Sequence, residues 1–491
     1  MARTQPPPAW VGVAAAILAI VALGSGTWLL RSLEFLPGPR WIEPWRPAPP
    51  TATAVPRTIA RGTPRTEAVT LFVADGMRRD VSLELPAWQA LRAQGVDVRC
   101  RVLGPSFTRV GFANLLTGVG PRRHGFLSNY NRRPSPVPSV FDLARRAGIP
   151  TCLLSPVPTA LPQQFPEAFE QRGPFEAAKL AGGATPRLTL VYSPEPDRSW
   201  HRAGVWSEAG RRAAREADAA LAAVLAASDL SRETVIAVSD HGHLDRGGHG
   251  GREAVVCEVP LVLAGAGIRP AAGTLAVGAD QRDVAATIAL LLGLPVRPGM
   301  TGRPLYEALA DPPPRERWLE REREAPFEPR LAPISRAVST ALALALFPWL
   351  VLRPRGLRPL LATLVCLGVF AALYAAWGRP WSFSLVNAES EVPATMATIT
   401  LFAAVAAGFG LALSRDAVRF GAWALCLEAL VAGALWGTAG IGAPLAIDHL
   451  TAAFFAYLGF TLLFGTAVVV AAAIAVGAGC GGGWSTEESK T

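Results

Sequence analysis

The sequence predicts an α/β domain built on a mostly parallel sheet flanked by helices, together with an α-helical transmembrane bundle. Three observations carry this expectation. Between about 67 and 310, short β-branched apolar runs alternate with amphipathic helical patterns, the texture of a wound parallel sheet. Two of those runs end in an aspartate at the point where a strand gives way to a loop, the edge at which such sheets place their active sites. Beyond 336 the composition shifts to long apolar runs separated by short polar loops.

Taken in order, the chain of 491 residues opens with Ala9 to Leu30, apolar for about the length of a bilayer span. Gly24-Ser25-Gly26 offers small residues for cleavage, but the apolar run continues through Thr27-Trp28-Leu29-Leu30. Residues 1–35 therefore read as an uncleaved signal-anchor. A Pro-, Arg- and Thr-rich connector, 36–66, leads into the 67–310 domain. Strands are expected at Val69–Ala74, Val96–Leu103, Thr151–Leu154, Leu188–Tyr192, Thr234–Val238 and Val259–Leu263. Helical patterns lie between them, as at Val140–Ala147 and Gly210–Ala227.

A charged connector, 311–335, precedes five apolar runs at 336–352, 359–377, 394–413, 420–438 and 450–477, within a bundle assigned to 336–478. The basic loops Arg353–Arg358 and Ser414–Arg419 belong in the cytoplasm by the positive-inside rule. Six spans then place both termini, including the tail 479–491, in the cytoplasm and the 67–310 domain outside it. Arg31 beside the first span runs mildly against this orientation.

Composition narrows the function classes. The net charge of +9 comes almost wholly from arginine, since Lys179 and Lys490 are the only lysines. No arginine-rich helix or aromatic-interleaved basic patch accompanies it, so nucleic acid is not an expected partner. Six cysteines form no CxxC pair, against a zinc knuckle or a thioredoxin-like motif. Cys100 and Cys152 lie in strand-like runs and are read as buried free thiols, with a disulfide as the alternative in an oxidising compartment.

The chemistry gathers around Thr234-Val235-Ile236-Ala237-Val238-Ser239-Asp240-His241-Gly242-His243, followed by Gly247-Gly248-His249-Gly250. A strand ends in two ligand-type residues, and a glycine-rich loop returns a further imidazole. Four of the six histidines fall between 201 and 249. The first strand also ends in a carboxylate, Asp75-Gly76, which belongs at the same sheet edge. Asp75, Asp240 and His241 make a mixed oxygen and nitrogen set suited to zinc or manganese. Asp197 and His201 stand four apart, on one face if the segment is helical, and join His249 as a second set. Thr108 opens a helical pattern, where the dipole favours an anion, either as a simple N-cap or as a nucleophile held in place.

In this order, DG, Thr, DxxxH, SDHG and GGHG, the motifs resemble the alkaline phosphatase superfamily, especially its phosphodiesterase and phosphotransferase branches. Leu71-Phe72-Val73-Ala74-Asp75-Gly76-Met77-Arg78-Arg79-Asp80, and Thr108 nine residues before Thr117-Gly118, are most similar to the GPI ethanolamine phosphate transferases. Asp283–Thr287, Leu292–Pro295 and Gly302–Leu305 resemble the superfamily's closing segment. An anchor, an extracytoplasmic domain and a carboxy-terminal bundle also resemble the transferase layout. The resemblance implies two divalent ions, zinc or else manganese. Asp75, Thr108, Asp240 and His241 would hold one, and Asp197, His201 and His249 the other. It further implies Thr108 as nucleophile, while Arg109 is a candidate contact for phosphate oxygens. His124 and His243 are left to supporting or structural roles.

The resemblance has limits. Thr108–Phe112 lacks the C-x-P-x-R motif of sulfatases, and Thr108 to Asp197 leaves little room for the insert of cofactor-independent phosphoglycerate mutases. The bundle is shorter than the eukaryotic transferases carry, and no N-x-S/T sequon is present. The expected activity is transfer of a phosphoethanolamine-type group from a phospholipid to a glycan or lipid hydroxyl, at a bacterial inner membrane. A hydrolase using water, either a phosphodiesterase or a nucleotide pyrophosphatase, is the alternative. A non-catalytic membrane scaffold is the third reading, disfavoured because every ligand position is filled.

Overall fold

The computed structural model describes residues 59–126, 129, 133–173, 187–296, 299–322, 358–379, 384, 387 and 391–414. By compactness the chain divides into two units. One comprises Arg46–Phe327 with Ser382–Ala388, the other Met1–Trp45, Glu328–Trp381 and Glu389–Thr491.

The first unit carries a nine-stranded sheet. Its strands are β1 (Ala68–Ala74), β2 (Val96–Arg101), β3 (Thr151–Leu154), β4 (Gln171–Gly173), β5 (Arg187–Ser193), β6 (Glu233–Val238), β7 (Glu258–Gly265), β8 (Gly273–Thr274) and β9 (Ala279–Asp280). They follow the order β4-β3-β5-β1-β6-β7-β2-β8, with β9 also on β2. All six expected strands are present. The three shortest, β4, β8 and β9, have too few residues to show a period. The sheet is mostly parallel, as expected, but β7 pairs antiparallel with both β6 and β2.

The main helices of this unit are α1 (Pro86–Gln94), α2 (Thr108–Thr117), α3 (Val140–Arg146), α4 (Asp197–Ala203), α5 (Glu208–Ala227) and α6 (Arg282–Leu291). Local chemistry sets their ends. Ser139 and Asp142 form a reciprocal capping box at the start of α3. Ser207 accepts from the Gly210 N–H, so α5 begins earlier than its apolar period alone suggests.

β1 is buried on both faces, and its side chains alternate between two cores. Val69, Leu71 and Val73 join Phe112 and Leu115 of α2, Phe141 of α3 and Ile288 of α6. Phe72 and Ala74 join Trp88 and Leu91 of α1 and Leu221 and Val224 of α5. Helices thus cover both faces of the sheet. Each such fully buried large apolar side chain contributes about 1.5–3 kcal/mol.

The three central strands β5, β1 and β6 run parallel and in step, pairing Ala74 with Ser193 and Val73 with Val238. The residues that follow them, Asp75, Pro194 onward and Ser239-Asp240, therefore leave the sheet at one edge. Cys100 and Cys152 are free thiols on β2 and β3. Five strand spacings separate those strands, about 24 Å, far beyond disulfide reach.

The second unit contains α7 (Arg358–Trp377) and α8 (Val392–Ser414), over the expected apolar runs 359–377 and 394–413. Among the described residues no helix is long and apolar enough to cross a membrane. The runs Ala9–Leu30, 336–352, 420–438 and 450–477 lie outside the described residues.

A buried polar chain ties α2 to the sheet edge. His124 Nδ1 accepts from the Phe126 N–H, so Nε2 carries the proton and donates to Asn114 Oδ1 at 2.9 Å. Asn114 Nδ2 donates to Gln281 Oε1, and Gln281 Nε2 donates to the Asp240 carbonyl. Burial holds His124 neutral, with its pKa lowered to about 3. Its folded pKa lies below its unfolded one, so its stabilisation is complete above about pH 6.5 and is lost as pH falls toward 3. Between pH 7 and pH 5 this residue alone should cost about 2 kcal/mol. Urea unfolding of the solubilised protein at both pH values should show that loss shrinking in His124→Gln. Equal losses in the two proteins would contradict the assignment.

Candidate metal centre

Two strand exits, two helix starts and one loop build the centre. Asp75 follows β1, and its N–H still bonds the Ser193 carbonyl of β5. Asp240 and His241 follow β6. Asp197 opens α4, donating its N–H to the Asp75 carbonyl, and places His201 one turn further on. The loop to β7 brings back His249 through Gly247, Gly248 and Gly250, whose φ values of +92°, +94° and +112° favour glycine. Thr108 is the first residue of α2. Phe107 holds the cap position without a side-chain bond, so the Thr108 hydroxyl is not engaged as a cap. α2 approaches closely because residue 111 is glycine, since a Cβ there would lie 2.6 Å from the Asp240 carbonyl oxygen.

At the first cluster, Asp75 and Asp240 are each anchored through one oxygen. Asp75 Oδ2 accepts from the Tyr192 hydroxyl, and Asp240 Oδ1 from the Gly76 N–H. Their other oxygens, Asp75 Oδ1 and Asp240 Oδ2, are buried without a hydrogen-bond partner. Both face His241 Nε2, at 3.4 and 3.5 Å, and Thr108 Oγ1 lies 3.3 Å from the same nitrogen. His241 Nδ1–H donates to the Gly242 carbonyl, leaving Nε2 with its lone pair.

At the second cluster, His201 Nε2 and His249 Nε2 stand 3.0 Å apart, and lie 3.3 and 3.6 Å from Asp197 Oδ1. Each Nδ1 faces an acceptor, Asn387 Oδ1 at 2.7 Å for His201 and the Ser106 carbonyl at 2.7 Å for His249. Both Nε2 lone pairs therefore point at one another, an arrangement that calls for a cation between them.

The donor spacings fit metal ions. Four ligands at zinc bond lengths sit about 3.4 Å apart along a tetrahedral edge, close to the 3.3–3.5 Å of the first cluster. Electrostatics agree. Burial raises Asp75 well above the ordinary carboxylate range, and the neighbouring charges of Asp240 and Asp197 add to it. Burial likewise raises Asp240. Asp197 falls well below the usual range despite burial, because His201 and His243 hydrogen-bond to it. Burial, then the surrounding imidazoles, keeps His249 neutral and fit to be a ligand.

All seven expected ligand and nucleophile positions meet here, and Asp197 borders both clusters. Among its contacts, Arg109 donates its N–H to Asn129 and its guanidinium bonds Gln163. Three further residues take part. His243 Nδ1 accepts from the Gly248 N–H, so Nε2 is the protonated nitrogen and donates to Asp197 Oδ1 at 2.7 Å. It orients the carboxylate, and burial lowers its pKa to about 4. Its spacing of two from His241 was the available signal. Tyr192, at the end of β5, and Asn387, 186 residues from its partner, gave none.

Residues 155–249 match the family of type I phosphodiesterases and nucleotide pyrophosphatases, a stretch that includes Asp197, His201, Asp240, His241 and His249. Similar solved structures include a murine ectonucleotide pyrophosphatase/phosphodiesterase 5 in complex with AMP, at 15% identity and a TM-score of 0.41, covering 47% of this chain and 96% of that one. The alkaline phosphatase PafA is 11% identical, with a TM-score of 0.42, over 51% of this chain and 100% of that one. A 2-O GAG sulfatase is 14% identical, with a TM-score of 0.42, over 54% and 77%. No curated protein matches the sequence. The matched stretch and the clustered aspartates and histidines support a metal-dependent phosphoryl-transfer enzyme.

Asp240→Asn should remove the ion of the first cluster and leave the second, about one ion per chain by elemental analysis. Two ions retained would contradict the ligand set.

Proposed function

We propose that the chain is a membrane-anchored phosphotransferase that moves a phosphoethanolamine-type group from a phospholipid to a glycan or lipid hydroxyl outside the cytoplasm. The observation that carries the reading is Thr108. Its half-buried hydroxyl opens α2, makes no capping bond, and stands beside two bare carboxylate oxygens and His241 Nε2. That is the surrounding an alcohol needs to react as a nucleophile.

A divalent ion on Asp75, Asp240 and His241 would favour the Thr108 alkoxide, and one on Asp197, His201 and His249 would stabilise the leaving oxygen. The chain's own groups do the rest. The start of α2 holds Oγ1 in one position, with the positive end of the helix dipole beside it. Oγ1 attacks phosphorus and forms the P–Oγ1 bond. The bond from phosphorus to the diacylglycerol oxygen breaks, and that oxygen gains the proton that Thr108 lost. In the second half, an acceptor hydroxyl attacks phosphorus, the P–Oγ1 bond breaks, and Thr108 regains a proton as the acceptor gives one up.

Support for the membrane reading comes from the apolar runs and from one contact. Asn387 lies between the runs 359–377 and 394–413, yet bonds His201 of the catalytic unit. The six-span topology puts that loop and the domain on the same side, as the contact requires. The match of 155–249 to phosphodiesterases and pyrophosphatases favours a second reading, in which water is the acceptor.

Incubation with labelled phosphatidylethanolamine should leave a phosphoethanolamine adduct on Thr108 and release diacylglycerol. Rapid cleavage of bis-nitrophenyl phosphate without lipid turnover would select the hydrolase. Thr108→Ala should abolish both reactions while two ions stay bound, and full activity in that variant would sink the nucleophile assignment. A reporter fused after Thr491 should read out in the cytoplasm, and an outside signal would break the six-span topology.

A further inference from the structure

The segment Ser382–Ala388 is part of the catalytic unit although the chain reaches it only after α7. Two of its residues grip the second cluster from both sides. Asn387 Nδ2 donates to the His201 carbonyl at 2.6 Å, which settles the orientation of the amide. Oδ1 must then face the imidazole, where it accepts from His201 Nδ1–H at 2.7 Å. With the proton on Nδ1, His201 Nε2 presents its lone pair toward Asp197 and His249.

Ser384 holds the other side. Fully buried, it accepts from the Gly251 N–H at 3.0 Å and donates to Glu253 Oε2 at 2.8 Å. Its carbonyl accepts from Arg246 Nη2 at 2.6 Å. These contacts bracket the loop that carries His249. Gly247 lies under the Asn387 amide, where a Cβ would stand 3.1–3.2 Å from the amide atoms. One short segment thus steadies both imidazole-bearing pieces, His201 on α4 and the His249 loop.

From this geometry we infer that Asn387 is a positioning residue for the second metal site, and that Ser384 steadies the loop carrying His249 beside it. The inference rests on the metal reading of Asp197, His201 and His249. A neutral amide suits the position. It fixes the tautomer of His201 as a carboxylate would, without adding another negative charge next to Asp197. A chain ending before α7 would keep all seven ligand and nucleophile residues and still hold its second ion weakly.

The test is metal titration of the full-length solubilised protein with zinc and with cobalt(II), whose d–d absorption reports ligand geometry. Asn387→Ala should fill the first site as wild type does and bind the second ion about 10–100-fold more weakly, with an altered cobalt spectrum. Asn387→Asp, which keeps the acceptor oxygen, should recover most of that loss. Wild-type titration and spectrum in Asn387→Ala would overturn the inference. So would equal weakening of both sites, or an aspartate variant no better than alanine, since either marks a merely structural role. His249→Ala is the control. If it too retains two ions, the metal reading itself fails, whereas loss of an ion there beside an unaffected Asn387→Ala sinks only the role of Asn387.

Discussion

Three carboxylates, those of Asp75, Asp197 and Asp240, sit close together where little water reaches them, so that Asp240 and Asp197 raise the proton affinity of Asp75, and Asp197 that of Asp240. Burying like charges together is among the costliest arrangements a fold can adopt unless cations answer it. Much of the surrounding structure is read most simply as that answer. Tyr192 and the Gly76 N–H each hold one carboxylate oxygen and leave the other bare. Three imidazoles turn their Nδ1 protons outward onto acceptor oxygens and their Nε2 lone pairs inward. Because neutral imidazole and ionised carboxylate are the states that bind metal, acidification works against metal binding at the centre.

His243 shows how a tautomer separates roles that residue type alone would merge. It belongs to the same cluster of imidazoles as His201 and His249. The Gly248 N–H occupies its Nδ1, so its Nε2 must carry a proton and cannot be a ligand lone pair. It acts on Asp197 instead, at hydrogen-bond distance. A ligand set kept to three protein side chains would leave room at an ion held there for a phosphate or leaving-group oxygen.

Much of the site was legible before the fold. A parallel sheet delivers the residues after its strands to one edge, so Asp75 and Asp240 could be placed together from two apolar runs that end in aspartate. Asp197 and His201 followed from a spacing of four, which α4 realises. The role of Tyr192 was not legible, because a tyrosine at the end of a buried strand looks like core. The antiparallel turn of β7 was equally silent, since strand direction leaves no mark in an apolar run.

What the sequence by itself determined is the chemistry on offer: the strand-end carboxylates, the imidazoles, the threonine at a helix start and the glycines that let a loop return. These are properties of residue type and short spacing, and local rules reach them. What only the tertiary structure decided is which partner each group meets. Asn387 and His201 are separated by 186 positions, and Gln281 meets the Asp240 carbonyl across 41. No period or motif spans such distances. Those pairs are set by how helices pack on a sheet and where a distant loop comes to rest, and they fix the tautomers on which metal binding depends.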